Sequence, residues 1–308
     1  MPAWLNSDLS MKNCLCMLVC LGTIFLGAFT SNAQVRSYHI GNSLTNDSLG
    51  NLKRSTESSG LQEIAASYGQ QLSIGFHIDS GRSLHTIWEN PQGYGKEGIN
   101  LTRAPYNGFS NALPNYTWDA VVLQPYMSKG ATLGSDKQMI ANFAAMTSGN
   151  PNFYILQIWP QQKWAAREGS YQNYWDGSSV HHDSTPMQPR RAYYQNLMSE
   201  LDSRYRMIPI GEIFYEVAEA IEEGEFPELT GMSDFYRDNV HLSQKLGRYV
   251  ATTALYATMY DHDIRDLTPP KTFLDPSSPT PTVMKRLNEI IWEVLTSDPY
   301  SGISNTRK

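Results

Sequence analysis

The chain has 308 residues, 41% hydrophobic and 18% charged, a balance that supports a packed core and excludes a disordered or fibrous protein. A net charge of -6 argues against a nucleic-acid partner. The three cysteines, Cys14, Cys16 and Cys20, are confined to the first stretch of chain.

That stretch resembles a targeting segment. Met11-Lys12-Asn13 is a short basic start, Cys14 to Phe29 is nearly all apolar, and Ser31-Asn32-Ala33 offers small residues where a signal peptidase reads them. Met11 is read as the true start and Gln34 as the mature N-terminus, so residues 1–33 are expected to leave as a signal peptide. The protein is then secreted or periplasmic, with no stable membrane insertion after cleavage. An uncleaved anchor helix is the alternative, for which the apolar run is short. The mature chain would contain no cysteine, hence no disulfide framework and no thiolate chemistry. Val19 stands before Cys20 where lipidation expects a small residue.

Val35 to Tyr38 reads as a first strand, running into His39-Ile40-Gly41-Asn42-Ser43-Leu44-Thr45. Asn46 to Ser58 is polar and lacks apolar periodicity. Leu61, Ile64, Ala65 and Tyr68 recur at helical spacing, with Gly69 as a stop. Leu72 to Ile78 reads as a second strand, closed by Asp79-Ser80-Gly81-Arg82. Residues 88–117, rich in Gly, Pro and Asn, read as a long surface loop. Trp118 to Leu123 reads as a buried parallel strand ending at Gln124-Pro125. A helix around Met139 to Phe143 and a fourth strand from Phe153 to Ile158 follow.

Residues 161–189 interrupt the pattern with Trp164, Tyr171, Tyr174, Trp175, His181 and His182 among polar residues. Tyr193 to Leu201 resumes helical spacing, Met207 to Ile210 is a fifth strand, and Ile213 to Ile221 a helix. Ser243 could cap a helix carrying Leu246, Val250 and Leu255. A Pro-rich passage leads to a last amphipathic helix at 283–296, within a C-terminal helical extension at about 270–308. Strands alternating with helices predict an α/β fold, a three-layer sandwich around a central parallel sheet of about five strands. One domain, 34–308, accounts for the mature chain.

The chemistry sits at strand ends, where open α/β sheets bind ligands. Ser43 follows the first strand, Gly81 the second, and Gln124 ends the third. Asp238 and His241 precede the last core helix. An Asp three residues before a His on a turn can hold the imidazole in one tautomer, leaving the other ring nitrogen to take a serine proton. Gly81 has no side chain to keep its N–H from an oxyanion. Plainer roles stand beside these. Ser43 could be a turn or cap residue, Asp238 and His241 could cap the following helix, and Gly81 could only make a turn. His181-His182 reads as a surface pair, because adjacent side chains do not converge readily on one metal ion.

On these residues the chain resembles the SGNH (GDSL-type) hydrolase superfamily. Gly41-Asn42-Ser43-Leu44-Thr45 is similar to its nucleophile block, in a Gly-Asn-Ser variant, and Asp238-Asn239-Val240-His241-Leu242-Ser243 to its last block. The resemblance runs from the first strand to the last core helix. It implies a flavodoxin-like SGNH fold, a Ser43-Asp238-His241 triad, and an oxyanion hole formed by Ser43 and Gly81. The family's third donor is usually an Asn. Gln124 stands at that strand end, either as a longer donor or as a buried polar residue.

The function so implied is a serine esterase acting on an acylated glycan or other small ester. Removal of an O-acetyl group from a carbohydrate is favoured, with no metal or organic cofactor needed. Trp164, Tyr171 and Trp175 are candidate sugar-binding residues. A lipase or thioesterase, or a catalytically silent carbohydrate-binding protein, are the alternatives.

Overall fold

The computed structural model describes residues 34–50, 58–92, 100–125, 131–177, 190–274 and 279–304. The signal-like segment and His181-His182 lie outside the described residues. Strands β1 (Val35–Gly41), β2 (Leu72–Asp79), β3 (Asn100–Thr102), β4 (Ala120–Leu123), β5 (Asn152–Leu156) and β6 (Tyr205–Ile208) form one sheet in the order β3-β2-β1-β4-β5-β6. Five of them run parallel, while β3 pairs antiparallel with β2. The chain winds outward from β1 to β2, then returns to add β4 on the other side of β1. The crevice between β1 and β4 is therefore a topological switch point, the place where such sheets bind ligands.

The central strands are apolar because both their faces are covered. Ala120, Val121, Val122 and Leu123 of β4 are all buried. On one face lie α1 (Ser43–Ser48), α2 (Gly60–Ser67), α9 (Ile210–Glu222), α10 (Leu246–Tyr260) and α11 (Pro281–Ser297). On the other lie α3 (Leu84–Glu89), α4 (Phe109–Asn115), α5 (Leu133–Met146) and α8 (Arg191–Ser199). The helices α6 (Gln162–Glu168) and α7 (Tyr171–Asp176) pack together, α7 reaching both α8 and α9. Capping boxes start α2 at Ser59/Gln62 and α5 at Thr132/Ser135, which satisfies N–H groups that have no partner within the helix.

Three stretches depart from the sequence expectation. The polar run after Ser43 begins with α1, whose buried residues include Thr45, Asp47 and Ser48. A helix that buries polar groups leaves no apolar period to detect. Within 88–117, expected to be a loop, lie β3 and α4; β3 is three residues long and α4 carries Pro114, so neither is long enough to show a period. The six-residue α3 was hidden likewise.

Past α11 the chain turns back along the free side of β6, where the Met207 N–H donates to the Tyr300 carbonyl at 2.7 Å.

Candidate active site

The C-terminal ends of β1, β2 and β4 come together through their register: Gly41 lies opposite Ile78, and Ile40 opposite Leu123. Two residues past Ile40 the chain turns sharply into α1. Gly41 is required there, because a Cβ would meet Thr45 Oγ1 at 2.1 Å and the Gln124 side chain at 2.8 Å. Asn42 is the N-cap of α1, its Oδ1 accepting the Leu44 N–H at 3.0 Å. Its amide also donates to the Arg82 carbonyl at 3.1 Å, tying this turn to the one after β2. Ser43 is thus the first residue of α1, partly exposed at the sheet edge.

The partner segment is a closed turn. Tyr236 and Leu242 form an antiparallel bridge, the Arg237 N–H donates to the His241 carbonyl at 3.0 Å, and the Ser243 N–H to the Phe235 carbonyl at 2.8 Å. The first turn of α10 packs so closely beneath it that a Cβ on Gly247 would sit 2.0 Å from the Phe235 oxygen. Ser243 does not form the N-cap of α10, which is Lys245, but its hydroxyl accepts the Gly247 N–H at 3.0 Å.

At the tip, Asp238 Oδ1 accepts the backbone N–H groups of Val240 and His241, each at 2.8 Å. Asp238 Oδ2 lies 2.9 Å from His241 Nδ1, and His241 Nε2 lies 2.9 Å from Ser43 Oγ. A carboxylate only accepts hydrogen bonds, so Nδ1 carries the proton and Nε2 is left to accept from the serine hydroxyl. Burial pushes the Asp238 carboxyl up, but the His241 and Val240 N–H groups and the His241 ring outweigh it and hold the pKa below the ordinary value. Asp238 is 49% exposed and His241 27% exposed, so the pair stands open to solvent and to a ligand.

Contacts distant in sequence hold this turn. The Trp159 indole N–H donates to the Val240 carbonyl at 2.8 Å, the Tyr236 hydroxyl to the Pro160 carbonyl at 2.5 Å, and the Lys163 N–H to the Asn239 carbonyl at 3.4 Å. The segment after β5 therefore braces one side. From α1, Asp47 braces the other through the Leu242 N–H at 2.9 Å. None of Trp159, Pro160 or Asp47 was singled out from sequence. Trp159-Pro160 marks only a strand end, and Asp47 is one acidic residue in a polar run.

Of the remaining sequence candidates, Gly81 sits in a left-handed turn (φ 71°) just past β2, exposed, with nothing within 4 Å of where a Cβ would stand. Of the two roles open to Gln124, the structure shows the buried polar one. Gln124 is fully buried; its Oε1 accepts the Asn42 N–H and the Thr45 hydroxyl, both at 3.1 Å, and its Nε2 donates to the Pro125 carbonyl at 3.0 Å. Because a backbone N–H can only donate, it fixes which end of the amide faces the turn. Gln124 shapes the nucleophile turn from below.

Trp175 is corrected as a sugar-binding residue. It is fully buried, and a Cβ on Gly211 at the start of α9 would meet its ring at 2.2 Å, so it is core. Tyr171 is half-buried beside Tyr236, ring centroids 6.0 Å apart, and burial pushes its phenol up to about 12. Trp164 is half-buried on α6, with the Lys163 ammonium 5.3 Å and the Arg167 guanidinium 5.6 Å from its ring centre.

No family model matches the sequence, and no curated protein matches it. Among solved structures, the chain is similar to a crystal structure of a DUF4886 family protein from Bacteroides uniformis. The TM-score is 0.57 at 16% identity, over 86% of this chain and 95% of that chain. At that identity the likeness is one of fold, an α/β sandwich around a parallel sheet.

Proposed function

We propose that the protein is an SGNH-like serine esterase, working outside the cytoplasm on an acylated carbohydrate. The observation that carries this reading is the unbroken relay from Asp238 Oδ2 to His241 Nδ1 and from His241 Nε2 to Ser43 Oγ, each step 2.9 Å. It stands at the switch point of the sheet, on the two segments that resemble the superfamily's end blocks. His241 takes the Ser43 proton as the oxygen attacks the ester carbon. Asp238 holds the tautomer and stabilises the imidazolium. The alkoxide leaves with the proton from His241, and water attacks the acyl-serine through the same base.

With Gln124 engaged elsewhere, the donors for the oxyanion are the N–H groups of Ser43 and Gly81. As the first residue of α1, Ser43 has an N–H with no acceptor inside the helix. A carbohydrate ester is favoured over a long acyl chain because a charged, aromatic helix, α6, begins beside the His241 turn, where the Lys163 N–H donates to the Asn239 carbonyl. On that helix the Lys163 ammonium and the Arg167 guanidinium lie over the Trp164 ring.

The test is exposure to a fluorophosphonate, with the modified residue located by mass spectrometry, alongside hydrolysis of acetylated oligosaccharides and long-chain aryl esters. Labelling of Ser43 with acetate release supports the reading. An unlabelled Ser43 with no hydrolysis of any ester leaves a binding protein of the same fold, and faster turnover of long acyl chains makes it a lipase.

A further inference from the structure

The proposed chemistry gives no role to a carboxylate one helical turn beyond Ser43. Asp47 is fully buried. Its Oδ2 accepts the Leu242 N–H at 2.9 Å, and its Oδ1 receives the Arg248 guanidinium at 2.6 Å and that of Arg237 at 3.2 Å. Removing a carboxylate from water is costly enough that it is tolerated only where partners surround it. Here the identity of the partners matters more than their number. Leu242 follows His241, and Arg237 precedes Asp238, with its Nε 3.7 Å from Asp238 Oδ2. One carboxylate therefore grips both flanks of the Asp238–His241 turn, and it does so from the helix whose first residue is Ser43. A charge serving only to dock α10 on α1 would need Arg248 alone.

We infer that Asp47 is the positioning residue that sets the gap between Ser43 Oγ and His241 Nε2. The inference rests on the serine-esterase reading. Asp47 touches no reacting atom. It fixes the spacing of two segments that do, and a displacement of about an ångström between nucleophile and base is enough to cost roughly a hundredfold in rate.

Asp47→Asn keeps an oxygen for the Leu242 N–H but loses the charge that gathers the two arginines; Asp47→Ala loses both. With a short-chain aryl ester, kcat per folded protein should fall roughly ten- to a hundredfold in Asp47→Asn and further in Asp47→Ala, while KM stays within about twofold. The rate of Ser43 labelling by fluorophosphonate should fall in the same order. Arg237→Gln, at a side chain 36% exposed, removes one arm without opening the core and should cost roughly three- to tenfold in kcat. It decides alone if the Asp47 variants do not fold.

Variants that melt earlier yet label and turn over at the wild-type rate per folded molecule would make Asp47 a stabilising ion pair and overturn the inference. Wild-type protein that fails to label at Ser43 overturns the esterase reading itself, and the inference with it. The two failures are thus told apart by the wild-type control.

Discussion

Ser43 and His241 meet over one 2.9 Å contact, but the segments that carry them are secured in different ways. The nucleophile turn is held from within. It continues a central strand, Asn42 caps its own helix, and a buried amide lies under it, so the groups involved belong to α1 or to the short turns that end β1, β2 and β4. The acid–base turn is held from outside. It lies at the surface between Phe235 and Leu246 and is gripped by Asp47 from one direction and by Trp159, Pro160 and Lys163 from the other. A nucleophile set by strand and cap has little freedom to drift. A histidine on a clamped turn depends on each clamp, so its alignment can be weakened without unfolding anything.

The sharpest test of whether the two segments work as one device is to disable both. Ser43→Ala and His241→Ala should each reduce turnover by several orders of magnitude, and the double variant by little more. Losses that multiply would mean the two side chains do not share a step.

Next comes acid stability, which belongs to the sheet side of the comparison. Burial pushes His39 in β1 down to about 3 and His77 in β2 down to about 4, so both are neutral in the folded protein. The unfolded chain takes those protons at about 6.5. The folded state refuses them, so the stability these residues contribute is full above about 6.5 and drains as pH falls toward 4. Asp136 and Asp298, each raised by burial to about 6, act in the opposite sense: their share is full at low pH and is lost as pH rises through 6. The clean readout is a difference. The urea midpoint of wild type minus that of His77→Gln should shrink between pH 7.5 and 4.5, and a constant difference would show that the folded protein accepts the proton.

Gln124→Leu fills the same space without an acceptor, leaving the Asn42 N–H and Thr45 hydroxyl unpaired at about 1–3 kcal/mol each. Melting temperature and turnover should fall together, since the turn and the nucleophile are one object. On the clamped side the two should separate. Trp159→Phe removes one hydrogen bond to Val240 at about 1 kcal/mol, and kcat should drop several-fold with little change in KM or melting temperature. Equal responses from Gln124 and Trp159 would erase the distinction.

The same division decides what could be read from sequence. The strands were legible because burial on both faces leaves runs such as Ala120 to Leu123, and Gly41-Asn42-Ser43 was legible because a strand end, a close approach and a cap fall on adjacent residues. Asp238 and His241 were legible through their spacing. What holds them was not: Asp47 lies 195 residues from Leu242, and Trp159 lies 81 residues from Val240. No local pattern records such pairs. The misassignment of Trp175 has a related cause. An aromatic residue among polar neighbours reads as exposed, yet its partner surface, the start of α9 at Gly211, comes from another part of the chain.

The return of the chain along β6 bears on how these molecules behave when crowded. A sheet's outermost strand is a template on which another molecule's strand can extend it. At one border that template is β3, only three residues long and running against its neighbours. At the other, the outward N–H of Met207 is already engaged by Tyr300. Both borders are blunted, by a stub on one side and a folded-back tail on the other, so deleting the residues after Ser297 should leave the catalytic edge untouched and expose a sticky flank. Molecules joining side by side through β6 would then be the first symptom, visible as concentration-dependent growth in light scattering at unchanged turnover.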